Sequence, residues 1–161
     1  PIITEAQFAK VLDHLARAAA DGLVPVTGGG VFSDGPGAAG QYVQPTLYTR
    51  VDPALPIARE EVFGPVLVTR PFPDGDEAAA IEAANDTEYG LVGSVWSGDA
   101  ARGLRVAERI RAGQVAVNGG ALTIETPFGG FKGSGYGREK GLEALHDYAQ
   151  VKTVSLGLGS A

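Results

Sequence analysis

The chain has 161 residues, a formal net charge of −6 at pH 7 and 44% hydrophobic residues. A chain of this length can bury the core of one domain, and its composition is that of a folded globular protein. The acidic balance argues against nucleic acid and anionic membranes as partners, because both attract clustered Lys and Arg. Because the chain contains no cysteine, disulfides, thiolate metal sites and thiol catalysis within it are excluded.

The first predicted element is a helix that begins at Thr4. Thr4 and Gln7 match a capping box, and apolar residues from Phe8 to Leu15 follow at helical spacing. The helix is predicted to end near Gly22. The later predicted strands lie at 23–27, 42–48, 66–69, 91–96, 115–117 and 151–158, and the later helices at 77–84 (capped by Asp74), from Asp99 to Gly113, and at 139–148.

Strands and helices alternate through the middle third of the chain. This order is the signature of βαβ units, which place strands in parallel with helices packed on them. The fold class predicted is therefore α/β, with a largely parallel sheet in one unit. His14 and His146 are expected to be surface or half-buried helix residues, without the partners that a metal site needs. No apolar run is long enough to span a membrane, so we expect a cytoplasmic protein without a membrane partner.

Residues 35–40 match the dinucleotide pattern G-x-G-x-x-G. That pattern binds pyrophosphate only where a strand precedes it and a helix begins inside it. Here Pro36 interrupts the pattern and extended chain follows. The interpretation favoured is a flexible loop between two strands.

Two other segments carry more specific chemistry. Residues 60–66 read Glu-Glu-Val-Phe-Gly-Pro-Val, and residues 127–139 place five glycines among aromatic and charged residues. A carboxylate such as Glu61 can accept two hydrogen bonds from a ribose diol, and an aromatic such as Phe63 can cover one face of a flat ring. The alternative is a solvated turn with Phe63 in the core, and from the residues alone this alternative is favoured.

Together, residues 60–66 and 127–139 resemble the closing segments of the NAD(P)-dependent aldehyde dehydrogenases. The resemblance implies that Glu61 binds the cofactor ribose and that Phe63 lies beside the nicotinamide of NAD or NADP. It also implies that Thr123 and Ile124, in a variable loop, and Phe128 line the pocket of a small aldehyde. Arg138 would be structural, and Glu139 a proton-relay candidate.

The resemblance further implies an incomplete catalytic domain over residues 1–150 and an oligomerisation strand over residues 151–161. In this family a cysteine attacks the aldehyde, and that residue and the Rossmann half precede the region that this chain matches. We therefore expect the missing N-terminal half of the same enzyme and further copies of the enzyme as partners, and we expect the isolated chain to be inactive.

Two other interpretations remain open. The chain could be a stand-alone assembly or binding module derived from a dehydrogenase. It could also be a tautomerase that uses Pro1 as a general base, since a proline amine near neutral pKa can take a proton. The second interpretation requires an N-terminal strand, whereas Thr4 begins a predicted helix.

Overall fold

The computed structural model describes residues 1–120 and 123–158. Contacts divide the chain into two compact units, one covering Pro1–Asp74 and the other Gly75–Ala161. Each unit contains one pair of parallel strands and two α-helices that lie near the strands in sequence. The described residues thus contain two small parallel sheets where the sequence predicted one, and the α/β class is confirmed.

The first unit contains helices α1 (Glu5–Ala20) and α2 (Pro56–Arg59) and strands β1 (Thr46–Thr49) and β2 (Val66–Thr69). α1 begins where predicted, because the Thr4 hydroxyl accepts the backbone N–H of Gln7 at 3.2 Å. Strands β1 and β2 pair in parallel with Thr46 opposite Val66. The core is formed by buried residues of α1 and of the segments around the sheet: Val11, Leu15, Ala18, Val43, Tyr48, Val51, Ile57 and Val62.

The second unit contains helices α3 (Glu77–Asn85) and α4 (Ala100–Ala107) and strands β3 (Val92–Val95) and β4 (Gln114–Val117). The strands pair in parallel, with Val92 opposite Gln114. Both helices begin at an aspartate that accepts backbone N–H groups of the first turn. The cap of α3 is Asp76, so the prediction of Asp74 was wrong by two residues.

Several other predicted elements differ from the structure. The region predicted as a strand at 23–27 contributes one isolated bridge, from Thr27 to Leu47. The helix predicted from Asp99 to Gly113 ends at Ala107, and β1 occupies Thr46–Thr49 instead of 42–48. His14, which was expected to be exposed or half-buried on a helix, is buried, with 3% exposure.

The C-terminal region also differs from its predicted secondary structure. The helix predicted at 139–148 is replaced by an antiparallel bridge from Phe128 to Glu139 and a 3₁₀-helix at Glu143–Tyr148. Residues 151–158 form no strand within the described part of the chain, and they are exposed. The division of domains at residue 150 stays a prediction.

Candidate functional site

The first group of predicted site residues lies in residues 60–64, which we call the 60–64 segment. It follows α2 directly and leads into β2. Val62 points inward and is 7% exposed, whereas Glu61 is exposed and Phe63 is 69% exposed. The prediction that Phe63 packs in the core is therefore wrong, and the core residue of this segment is Val62. The two side chains predicted to contact the cofactor are both presented to solvent.

The backbone of the 60–64 segment turns sharply at Phe63. Its φ of 53 lies in the left-handed region, which a phenylalanine rarely adopts. Gly64 follows and packs directly against α1, because a Cβ at this position would lie 2.8 Å from Cγ2 of Val11. The combination of a buried Val62, a turned Phe63 and a closely packed Gly64 fixes the direction in which Phe63 projects.

Two polar residues of α1 hold the same segment. The Gln7 side-chain amide donates to the carbonyls of Val62 at 3.0 Å and Phe63 at 3.1 Å. The Arg17 guanidinium donates to both carboxylate oxygens of Glu60, at 2.9 and 3.0 Å. This bidentate pair lowers the pKa of Glu60 below its ordinary value. Gln7 was predicted only as part of a capping box, so its contacts with the segment are new information from the structure.

The second group of predicted site residues lies in the second unit. Phe128 and Glu139 exchange two backbone hydrogen bonds, each 2.7 Å long. Both residues line a cleft of ≈ 300 Å³ together with Leu91, Gly129, Gly130, Ser134, Tyr136, Gly137, Arg138 and Asp147. The Phe128 ring is half-buried, and the Lys140 ammonium lies over it, 5.1 Å from the ring centroid. The structure thus brings the predicted pocket aromatic and the predicted relay glutamate together.

The loop residues Thr123 and Ile124 lie outside this cleft's lining. Ile124 is 72% exposed, and its carbonyl accepts the N–H of Gly141 at 3.2 Å. The Thr123 carbonyl accepts the Thr126 hydroxyl at 2.8 Å. A hydrogen bond with the Thr123 side chain lowers the pKa of Glu125. Hydrogen bonds therefore hold residues 123–126 of the loop while the Ile124 side chain faces solvent. Leu122, which precedes them in the loop, lies outside the described residues.

Arg138 has a structural role, as predicted, but through carbonyl groups and an aromatic ring. Its guanidinium donates to Gly137 at 2.7 Å and to Gly130 at 3.2 Å, and it lies 5.3 Å from the centroid of the Phe131 ring. These contacts link the end of the glycine-rich segment 127–139 to its middle. Gln114, which the sequence did not indicate, is 8% exposed and donates to the Pro127 carbonyl at 2.8 Å, so it fixes the start of the same segment.

Within the ranges 1–120 and 123–158, no cluster of three or more His, Asp or Glu side chains could hold a metal ion. None of the helices in the same ranges combines the length and the apolar composition of a membrane-spanning segment.

Comparison with known proteins identifies the class to which these segments belong. The chain is a member of the aldehyde dehydrogenase family, whose pattern matches residues 1–154. It is 44% identical over 160 residues to a betaine aldehyde dehydrogenase of Brucella anthropi, and 43% identical to one of Agrobacterium fabrum. These alignments cover 99% of this chain but 32% of each relative, so the chain spans about a third of the length of the curated relatives that it matches.

Solved structures agree with this assignment. An aldehyde dehydrogenase of Mycobacterium tuberculosis in complex with NAD+ superposes with a TM-score of 0.88 and 40% identity, covering 100% of this chain and 32% of that chain. A cysteine-to-alanine mutant of aldehyde dehydrogenase C from Pseudomonas syringae, in complex with NAD+ and octanal, superposes with a TM-score of 0.85 and 40% identity. This superposition covers 92% of this chain and 30% of that chain. The fold is thus that of an incomplete aldehyde dehydrogenase domain.

Proposed function

We propose that this chain is the C-terminal part of an enzyme that oxidises an aldehyde to a carboxylate with NAD or NADP. The observation that carries the proposal is the arrangement of the 60–64 segment, in which Glu61 and Phe63 project to solvent on either side of a buried Val62. An exposed carboxylate next to an exposed ring fits a ribose and the flat ring attached to it. The cofactor-bound relatives support this assignment.

The cofactor's nicotinamide would take the hydride of the aldehyde carbon, and water would supply the second oxygen of the carboxylate. In this proposal the Glu61 carboxylate accepts hydrogen bonds from the two ribose hydroxyls, which fixes the position of the nicotinamide. The Phe63 ring covers one face of that ring and excludes water from it. Both roles are positioning roles, and the nucleophile belongs to another part of the enzyme, since this chain contains no cysteine.

The second unit would contribute to the aldehyde site. Phe128, with Thr123 and Ile124 of the preceding loop, would form part of the pocket wall. Glu139 would lie beside the path along which protons leave. It is one of two carboxylates, with Asp147, in the cleft that Phe128 also lines. The proposal includes a cytoplasmic location, the N-terminal half of the same enzyme as a partner, and homo-oligomers that assemble through residues 151–161.

The first test is the intact mass of the protein purified from its native source. A mass several-fold above 16.5 kDa would support the proposal that the chain is part of a larger enzyme. A mass of 16.5 kDa would instead favour a binding or assembly module, because a chain without cysteine cannot perform thiol catalysis.

The second test compares the activity of the isolated chain with that of the native protein. NADH or NADPH formation is followed with betaine aldehyde and octanal, which the names of the relatives indicate as first substrates. We expect activity from the native protein that a thiol-alkylating reagent abolishes, and none from the 161-residue chain. Robust production of reduced cofactor by the isolated chain, insensitive to alkylation, would refute the proposal.

A further inference from the structure

We propose that Gln7 is a positioning residue for the nicotinamide side of the cofactor site. In this proposal the first turn of α1 holds the 60–64 segment, so that Glu61 and Phe63 are presented in a fixed orientation. That the ligand of this site is NAD or NADP rests on the proposed function. The restraint itself rests only on contacts within the first unit.

The Gln7 amide uses its nitrogen for two consecutive carbonyls, those of Val62 at 3.0 Å and Phe63 at 3.1 Å. These carbonyls belong to the turn at which Phe63 has a φ of 53. A left-handed phenylalanine persists only where surrounding contacts hold it. Gln7 supplies two such contacts from a rigid helix, 55 and 56 residues away in sequence.

Other residues of α1 hold the neighbouring positions of the segment. Arg17 pairs with Glu60, and Val11 lies directly under Gly64. Since Val62 is buried in the same core as Val11, the helix restrains the segment on both sides of Phe63. Glu60 is also exposed, but its carboxylate is held by Arg17. The other two exposed side chains of the segment are Glu61 and Phe63, which are the two that the proposed function assigns to the cofactor.

Because of its position in α1, Gln7 can be substituted without weakening the helix, so the loss of its hydrogen bonds can be tested separately from helix stability. Gln7 is the third residue of the helix, where a glutamate stabilises the first turn through the capping box and the helix dipole. Gln7→Glu therefore keeps or strengthens α1. It removes both amide donors, however, and places a carboxylate against two carbonyl oxygens. Gln7→Met removes the donors without adding charge.

The restraint is tested in the 161-residue chain by limited thermolysin digestion, since thermolysin cleaves before bulky apolar residues. We expect cleavage before Val62 or Phe63 to accelerate about fivefold to tenfold in Gln7→Met, and more in Gln7→Glu, through the loss of two hydrogen bonds. Cleavage before Leu156, which is 83% exposed, is the internal reference and should not change. Ala19→Met places the same new side chain on an exposed position of α1 and should behave as wild type.

The cofactor role is tested in the native protein by measuring the affinities for NAD and for AMP by calorimetry. We expect Gln7→Glu to weaken NAD binding about fivefold or more and to leave AMP binding unchanged, because AMP lacks the nicotinamide half. Equal weakening of NAD and AMP, or unchanged cleavage at the segment, would overturn the proposal. If the wild-type native protein binds no NAD, the proposed function and the cofactor role both fail, while accelerated cleavage would still establish the restraint.

Discussion

Gly64 is the residue of the 60–64 segment that packs against Val11 of α1. An added Cβ would lie 2.8 and 3.1 Å from the two γ-carbons of Val11, whose exposure is 0%. Overpacking of a filled core costs about 1–3 kcal/mol. We therefore expect Gly64→Ala to lower the free energy of unfolding of the first unit by about this amount, measured by urea denaturation.

The matched control for this substitution is Gly30→Ala in the same unit, since a Cβ at Gly30 would meet only Oε1 of Gln44, at 3.8 Å. The double variant Val11→Ala/Gly64→Ala tests the cause, because shortening Val11 removes the atoms that clash. In this double-mutant cycle the two changes should compensate in part. Additive losses would show that the loss in Gly64→Ala arises elsewhere.

The residues of the candidate site were only partly predictable. The order Glu61, Val62, Phe63 indicated a carboxylate and an aromatic ring, but the sequence alone favoured a buried Phe63. In the structure the buried residue of the segment is Val62, and the backbone turn at Phe63 leaves the Phe63 ring exposed. The role of Gln7 was beyond sequence reasoning, because its capping pattern indicated a local partner and its observed partners are distant along the chain.

At the scale of elements, α3 and α4 are joined by a bidentate ion pair. Arg105 donates to both carboxylate oxygens of Glu77, at 2.8 and 3.0 Å, which lowers the pKa of Glu77 and raises that of Arg105. Because the folded-state pKa of Glu77 lies below its unfolded value, the stabilisation is fully present above about pH 4.5 and is lost as the pH falls through the folded-state pKa.

We expect this pair to make the stability of the second unit depend on pH in the acidic range. Glu77→Gln should reduce the loss of stability between neutral pH and pH values below 4.5, measured as the shift of the urea midpoint. Arg105→Gln, which removes the partner of Glu77 and keeps the carboxylate, should reduce the loss of stability in the same way. Identical pH dependence in Glu77→Gln and wild type would contradict the prediction.

The elements that local signals define were predicted well. α1 has an apolar stripe and a Thr4 cap, and β2 was predicted with the bounds Val66–Thr69. The helix predicted at 139–148 failed because long-range pairing overrides local propensity. Glu139 pairs with Phe128, and Lys140 and Gly141 have φ values of 60 and 63, which a right-handed helix cannot contain.

At the scale of the molecule, the chain exposes many large apolar side chains, and clusters of them mark surfaces that pair with other chains. Residues 151–158 carry Val151, Val154, Leu156 and Leu158, which are between 80 and 101% exposed. In the first unit, a groove of ≈ 380 Å³ beside strands β1 and β2 is lined mainly by apolar residues. Exposed apolar segments with unpaired backbone groups favour pairing with another chain.

We therefore expect the isolated chain to self-associate, with residues 151–158 contributing to the contact. Val154→Lys/Leu156→Lys should reduce the average mass in sedimentation equilibrium, because it removes two exposed apolar side chains and adds charge. Thr153→Lys/Ser155→Lys adds the same charge to the same segment but keeps Val154 and Leu156, so it should retain more of the association. A wild-type chain that is strictly monomeric, or equal effects of the two double variants, would show that these apolar side chains do not drive assembly.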